Sequence, residues 1–322
     1  MTVLLHPAQP AAPPAALPLK SLRVAPGRRM KNHLATTVIV GSFGLALVPL
    51  VWLLWTVAGN GLAALTRAGW FTRSQRNLTY TDAGGGAFHA IVGTAEQVGL
   101  CALISIPVAL MLGIYLVEYG RGWFARLTTF MVDILTGLPS IVAALFIYAV
   151  FIQTLGGQRA GWLVSLALVM LMIPVVVRTT EEMLRIVPGQ LREAAYALGV
   201  PKWKTIVRVV VPTALNGIVT GVVLGIARVA GETAPLLVLV GYAPDTNADL
   251  FAGPQAALPT MINNEALNFT TQGTYVLGAG GQRELVHNFA VDRMWGAALT
   301  LIVIVMGLNL LARLIGRRRE AA

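Results

Sequence analysis

Six long stretches of the chain consist almost entirely of apolar residues and are separated by more polar segments. They lie at residues 34–58, 97–117, 134–155, 160–177, 214–241 and 294–312. A helix needs about 20 residues to cross the hydrocarbon core of a bilayer, and the core of a soluble domain does not require apolar runs of this length. The pattern therefore predicts an all-α, polytopic membrane protein with six transmembrane helices.

The same pattern divides the chain into a membrane domain and two flanks. Residues 1–33 are rich in Pro and Ala and then basic, and they are expected to form a disordered cytoplasmic tail. Residues 34–316 form a single transmembrane domain, which contains a charged segment at 179–211 and a polar, extracytoplasmic segment at 242–293. Residues 317–322 form a basic cytoplasmic C-terminus.

The charge distribution indicates the orientation of the chain in the membrane. Only 12% of the residues are charged, 56% are hydrophobic, and the formal net charge is +10. Most Lys and Arg residues lie at the two ends and in segment 179–211, which places these parts in the cytoplasm. Basic residues beside apolar spans indicate contact with membrane lipid and not with nucleic acid. The single cysteine, Cys101, excludes a multi-cysteine metal site, and no metal is expected.

Segment 179–211 has the pattern of charged, amphipathic helices. Thr179 and Glu182 have the spacing of a capping box, which predicts that a helix starts there and ends at Pro188. A second short helix is expected at 190–198, closed by Gly199. One face of this second helix carries Leu191, Ala194, Ala195 and Leu198. The pattern alone leaves open whether that face lies on the membrane surface or on a protein partner.

The spacing of small and aliphatic residues in this segment resembles the EAA loop of ABC-importer permeases. The matching residues are Glu193, Ala194, Ala195, Gly199, Val209, Val211 and Pro212, with Val at two positions where Ile and Leu are more common. The resemblance implies a type I ABC-importer permease whose short helix docks on a cytoplasmic ATPase. The chain contains no G-x-x-x-x-G-K-[ST] loop. We therefore expect no enzyme activity and no cofactor in this chain, with ATP and Mg bound by a separate ATPase subunit.

Two charged residues interrupt the fifth apolar stretch near its midpoint. Arg228 and Glu232 are four residues apart, so a continuous helix would place them on one face. Since a charge at membrane depth costs at least about 2.5 kcal/mol, it requires a specific reason. One interpretation is an ion pair that only fixes helix packing, and the other is a path for an anion. Gly231 and Pro235 predict a kinked or opened helix here, and Thr233 adds a hydroxyl group.

The run from Arg228 to Leu237 resembles the R-x-x-G-E-T-A-P-L-L pattern of the PstA family, one of the two permease types of bacterial phosphate-specific ABC importers. Similar stretches begin at Gly137, Arg178 and Leu310. The resemblance implies inorganic phosphate as substrate and the bacterial inner membrane as location. It implies a homologous PstC-type permease, a dimer of PstB-type ATPase subunits and a PstS-type extracytoplasmic binding protein as partners.

Arg228 is the first candidate for the phosphate contact, because a guanidinium group binds oxyanions in a bidentate manner. Glu232 is predicted to accept a hydrogen bond from phosphate, which keeps at least one proton near neutral pH, whereas sulfate keeps none. Thr233 completes this part of the predicted substrate path.

Arg178 and Ser140 are further candidates for the path, each with an alternative. Arg178 either reaches the lipid headgroups or forms a second, inner anion contact. Ser140, after Pro139, either lines the path or allows close helix packing. Asp133 and Glu96 are predicted to lie at the starts of the third and second spans, where they complement the helix dipole.

Two rival functions remain open. An ABC permease of this kind could carry another oxyanion, such as molybdate or sulfate. A secondary anion transporter would work without an ATPase, but it leaves the EAA loop unexplained.

Overall fold

The computed structural model describes residues 26–269, 275–277, 283–285 and 287–320. Within these ranges the chain is almost entirely helical, as predicted. The helices are α1 (Pro26–Leu65), α2 (Phe88–Ile114), α3 (Gly122–Thr136), α4 (Ser140–Ile147), α5 (Gly161–Ile186), α6 (Gly189–Ala197), α7 (Lys202–Thr205), α8 (Val211–Ala230), α9 (Ala234–Leu239), α10 (Leu258–Phe269) and α11 (Phe289–Glu320). Turns of π-helix at Tyr115–Tyr119, Tyr148–Thr154 and Ile206–Val210 follow α2, α4 and α7. Strands β1 (Tyr275–Leu277) and β2 (Arg283–Leu285) form one short antiparallel pair.

The described part of the chain contains five helices that are long and apolar enough to cross a membrane. The number becomes six if α3 and the helix from Ser140 to Thr154 are counted together as one broken span. The span predicted at 134–155 is not one straight helix, because Gly122–Thr136 and Ser140–Thr154 meet at 106°. Pro139 lacks an N–H group and disfavours helical geometry at the residue before it, so α3 ends at Thr136 and a new helix starts after the proline.

The chain divides into two compact units, residues 1–55 and 56–322. In the first, the described residues form the start of α1, which begins at Pro26, so residues 26–33 of the predicted tail are helical. Residues 1–25 lie outside the described residues. The described apolar side chains between residues 27 and 55 are exposed, as for Trp55 at 80%. This is typical of a span that faces lipid or another protein.

Helix α5 is the centre of the second unit, where it packs against α2 on one side and α8 on the other. Both contacts are close because the neighbouring helices present glycine. A Cβ atom on Gly113 of α2 would lie 2.7 Å from Cγ2 of Thr180, and one on Gly221 of α8 would lie 2.4 Å from Cγ2 of Thr179. Small residues thus let the three helix backbones approach each other within the apolar core.

The predicted capping box at Thr179 is wrong, because this residue lies inside α5. The helix continues without interruption to Ile186, and the Thr179 hydroxyl donates to the carbonyl of Val175 on the preceding turn. Thr179 is therefore an interior helix residue. Its hydroxyl is satisfied within the helix, and no helix starts there.

Segment 242–293 packs on the second unit through α10, which contacts α11 and α2. Gln255, just before α10, is buried and donates to Glu96 at 2.5 Å, while its carbonyl oxygen accepts from Gln97 at 2.8 Å. Because α2 begins at Phe88, Glu96 lies inside the helix, and its predicted place at a helix start is wrong. The polar residues before α10 are thus attached to α2 by hydrogen bonds.

Candidate functional site

The fifth span is interrupted beside the predicted anion-binding residues. α8 ends at Ala230, and α9 begins at Ala234 with Pro235 in its first turn. The N–H of Gly231 donates to the Arg228 carbonyl at 3.2 Å, and that of Glu232 to the Val229 carbonyl at 3.2 Å, which closes α8 with a tight final turn. A proline is tolerated at the start of α9, because the first N–H groups of a helix have no intrahelical acceptor.

The break separates Arg228 from Glu232. Arg228 lies in the last turn of α8, and Glu232 lies outside that helix, so the expectation that they share one helical face is wrong. Among the described residues, no ion pair or side-chain hydrogen bond joins them. Arg228 is exposed at the surface of the chain, as is Leu224 four residues earlier, whereas Gly225 and Val229 on the neighbouring side of α8 are buried. Apolar residues precede and follow this arginine along the chain.

The second helix break, at Gly137–Pro139, is brought into the same region of the core. Ser140 begins α4 immediately after this break, and its side chain is half-buried. α4 packs against α9, and Ala144 and Ile147 of α4 share one apolar cluster with Leu236 and Leu239 of α9. The helices that follow the two breaks therefore support each other. The local sequence does not indicate that α4 and α9 pack together.

Arg178 is engaged by two carboxylates. Its Nη1 donates to Glu181 Oε2 at 2.7 Å, and its Nη2 is bonded to Asp133. Asp133 lies in the last turn of α3, so its predicted place at the start of a span is wrong. The ion pair links α3 to α5, near the end of α5 that leads into α6. Either predicted role of Arg178 has to operate together with these two acids.

A cavity of about 670 Å³ opens next to this link, between α3 and α5. Its charged lining residues are Arg126, Asp133, Glu181 and Arg185. Arg185 lies 3.3 Å from Glu181 on the same helix. The lining thus combines both signs of charge and does not form a purely cationic anion site.

The predicted docking helix is α6, and Gly199 has the positive φ of +77° that ends such a helix tightly. Ala195 is buried, whereas Glu193 and Ala194 are exposed and Leu198 is 84% exposed. Most of the face predicted to be apolar is therefore free to contact another protein.

Two further ion pairs with well-buried carboxylates join helices that the sequence did not connect. Glu118, at the end of the second span, pairs with Arg192 of α6 at 2.9 Å. Glu265 of α10 pairs with Arg293 of α11 at 3.3 Å, with both side chains only 3% exposed. Burial raises the pKa of the Glu265 carboxyl, which Arg293 partly opposes. In each pair the partners are far apart in sequence, so no local spacing indicates them.

Comparison with known families places this arrangement among transport proteins. The family described as the binding-protein-dependent transport system inner membrane component matches residues 105–321. The phosphate transport system permease protein PstA 1 of Mycobacterium tuberculosis (strain ATCC 25618 / H37Rv) is 52% identical over 307 residues, covering 95% of this chain and 92% of that protein. The PstA protein of Yersinia pestis is 37% identical over 294 residues, covering 91% of this chain and 92% of that protein.

Solved structures share the fold at low sequence identity. A chain of a bacterial alginate ABC transporter, crystallised with its alginate-bound periplasmic protein, has a TM-score of 0.61 at 14% identity and covers 90% of this chain and 96% of its own length. A chain of the inward-facing MetNI methionine ABC transporter has a TM-score of 0.51 at 18% identity and covers 73% of this chain and 94% of its own length. The helix arrangement is therefore that of ABC-importer permeases.

Proposed function

Since the chain belongs to the PstA family of phosphate transport system permeases, within the binding-protein-dependent inner membrane components, we propose that it is the membrane-spanning subunit of an ATP-driven importer that moves inorganic phosphate into the cell. The identity to PstA proteins along nearly the whole chain supports phosphate as the cargo.

The observation that carries the proposal is the position of Arg228. A guanidinium group on the outer flank of a membrane helix is costly if it faces lipid, so it requires water or protein beside it. A path between this subunit and a second permease provides both. The hydroxyl of Thr233 lies in the adjacent break and can bind a phosphate oxygen.

The remaining subunits follow from the same reasoning. We assign a PstC-type permease to the exposed flank of α8, a dimer of PstB-type ATPase subunits to α6, and a PstS-type binding protein to the opposite side. ATP and Mg belong to the ATPase in this scheme. The charged segment 179–211 then lies in the cytoplasm, and the distribution of Lys and Arg supports the same location for both termini.

Reconstitution of the four components in liposomes tests the proposal. We expect uptake of radiolabelled phosphate that requires ATP, and Arg228→Gln should abolish this uptake while the complex still assembles. The matched control is Arg313→Gln, which removes an exposed arginine near the C-terminal end of α11 and should leave uptake unchanged. Uptake by this chain alone, or uptake of molybdate or sulfate in preference to phosphate, would contradict the proposal.

A further inference from the structure

The helix assigned to ATPase docking has little apolar contact with its own chain. Of the residues of α6, only Ala195 is buried. A helix held so weakly by packing needs other bonds if it is to transmit a movement to the spans. Those bonds come mainly from one side chain, that of Arg192.

Arg192 reaches from α6 to the ends of two membrane helices. Its Nε and Nη2 donate to the Glu118 carboxylate at 3.1 and 2.9 Å, at the π-helical end of α2. Its Nη1 donates to the Val187 carbonyl at 2.8 Å, and its Nη2 also donates to the Leu184 carbonyl at 3.0 Å, both at the end of α5. One guanidinium group thus connects α6 to α2 and α5.

The next helix along the chain holds the same turn of α2. The ammonium group of Lys202, at the start of α7, donates to the carbonyl of Glu118 and lies 4.5 Å from the centre of the Tyr119 ring. The residues on both sides of Gly199 are therefore anchored at Glu118 and Tyr119.

This connection is shielded from water. The side chain of Glu118 is 6% exposed and that of Arg192 is 19% exposed. Charge-assisted bonds to a buried carboxylate are stronger and more directional than surface ion pairs, which contribute little. A pair in this setting resists being pulled apart when α6 moves.

We propose that the Glu118–Arg192 pair is the joint that transmits movement of α6 to α2 and α5, so that both are positioning residues for the coupling of ATP hydrolysis to transport. The inference rests on the proposed function, because it requires an ATPase that docks on α6. It goes further by assigning the mechanical link to two particular side chains, one of them outside the EAA loop.

The test measures phosphate uptake and ATP hydrolysis separately in proteoliposomes that contain the complete transporter. We expect Arg192→Gln to lower the phosphate transported per ATP hydrolysed by about tenfold, a factor within the range of couplings between distant sites. The ATPase subunits should still co-purify and hydrolyse ATP. Glu118→Gln should lower this ratio less, since Arg192 keeps its two carbonyl acceptors. Glu118→Asp, which keeps the carboxylate, should have a ratio close to that of the wild type.

The matched control is Arg313→Gln, which removes an exposed arginine of α11 and should leave the ratio unchanged. The double variant Glu118→Gln/Arg192→Gln should be no worse than Arg192→Gln alone, because both changes remove the same joint. A ratio within about twofold of the wild type in Arg192→Gln would overturn the inference, as would equal losses of uptake and hydrolysis. If the wild-type complex shows no ATP-dependent uptake, the proposed function itself fails.

Discussion

At the scale of single residues, the position of each charge relative to a helix end decides what it can do. Arg228 lies in the last turn of α8, where a cation complements the negative end of the helix dipole. Glu232 lies in the break, without an ion-pair partner among the described residues. The two groups are therefore separately available, one as a donor and the other as an acceptor.

Replacing Glu232 with Gln tests its role as an acceptor. The amide keeps the size of the side chain but can donate as well as accept, so it no longer distinguishes protonated phosphate from sulfate. We expect sulfate to compete with phosphate uptake at least about tenfold better in Glu232→Gln, the effect of losing one charged hydrogen bond. Competition assays in proteoliposomes measure this. Unchanged uptake and unchanged phosphate preference would remove Glu232 from the path.

The buried pair of Glu265 and Arg293 has a structural role. Arg293 also donates to the carbonyls of Asp82 and Thr79 at 3.1 and 3.0 Å, so it connects α10, α11 and the loop before α2. Replacing Arg293 with Met should destabilise the chain by about 3–5 kcal/mol, because the Glu265 carboxylate would be left buried without a counter-charge. Thermal unfolding of the purified complex measures this loss.

The same variant should show a pH dependence. Burial already raises the pKa of Glu265 above its ordinary value of 4.5, and removing Arg293 raises it further. A raised folded-state pKa favours the folded state below the ordinary pKa, and that advantage is lost as the pH rises through the folded pKa. The difference in unfolding temperature between Arg293→Met and the wild type should therefore be smallest near the ordinary pKa of 4.5 and grow as the pH rises above it. A difference that does not vary with pH would show that Glu265 is not the source.

At the scale of helices, the positions of glycine determine how closely α2 and α8 can pack against α5. Gly113 and Gly221 lie where α2 and α8 approach α5. Gly99 instead lies on the exposed side of α2, and a Cβ atom added there would meet nothing within 4 Å among the described residues. The same residue type therefore serves close packing in one place and has no packing role in another.

Substitution by alanine separates these two cases. In Gly221→Ala the new methyl group would lie 2.4 Å from Cγ2 and 2.5 Å from Cβ of Thr179, so α5 and α8 have to move apart. We expect a loss of about 1–3 kcal/mol, seen as a lower unfolding temperature. Gly99→Ala should instead leave stability unchanged or raise it by up to about 1 kcal/mol, because alanine is the better helix former. Equal effects of the two substitutions would contradict the close α5–α8 contact.

At the scale of the whole molecule, the surfaces that remain exposed indicate where other subunits bind. Leu198 at the end of α6 is 84% exposed on the side assigned to the cytoplasm, and Leu155 is 68% exposed on the side assigned to the exterior. Leu191 and Tyr196 of α6 are also exposed, at 41% and 43%, and several exposed apolar residues on one short helix are typical of an interaction site.

Replacing each of these leucines with aspartate tests which of the two surfaces binds the ATPase subunits. Leu198→Asp should weaken binding of the ATPase subunits by about tenfold or more, as expected for an apolar anchor in an interface. Leu155→Asp should leave that binding unchanged. Co-purification at graded ATPase concentrations provides the measurement. If both variants retain the ATPase equally, α6 is not its docking site.

Features encoded in contiguous residues were predictable from the sequence alone. The all-α membrane architecture follows from apolar stretches of sufficient length, and the tight end of α6 follows from Gly199 followed by Pro201. The interruption beside Arg228 lies where Pro235 removes an N–H group. Each depends on local rules of hydrophobicity, backbone geometry and hydrogen bonding.

Features that depend on distant parts of the chain were decided only by the tertiary structure. Glu118 and Arg192 are 74 residues apart, and Arg178 and Asp133 are 45 apart, so no spacing rule connects them. The apolar pattern over 134–155 gave no sign of the 106° bend after Thr136, where α4 packs on α5 and α9. A charged side chain has many possible partners along the sequence, and only the packing of the helices determines which of them lies within bonding distance.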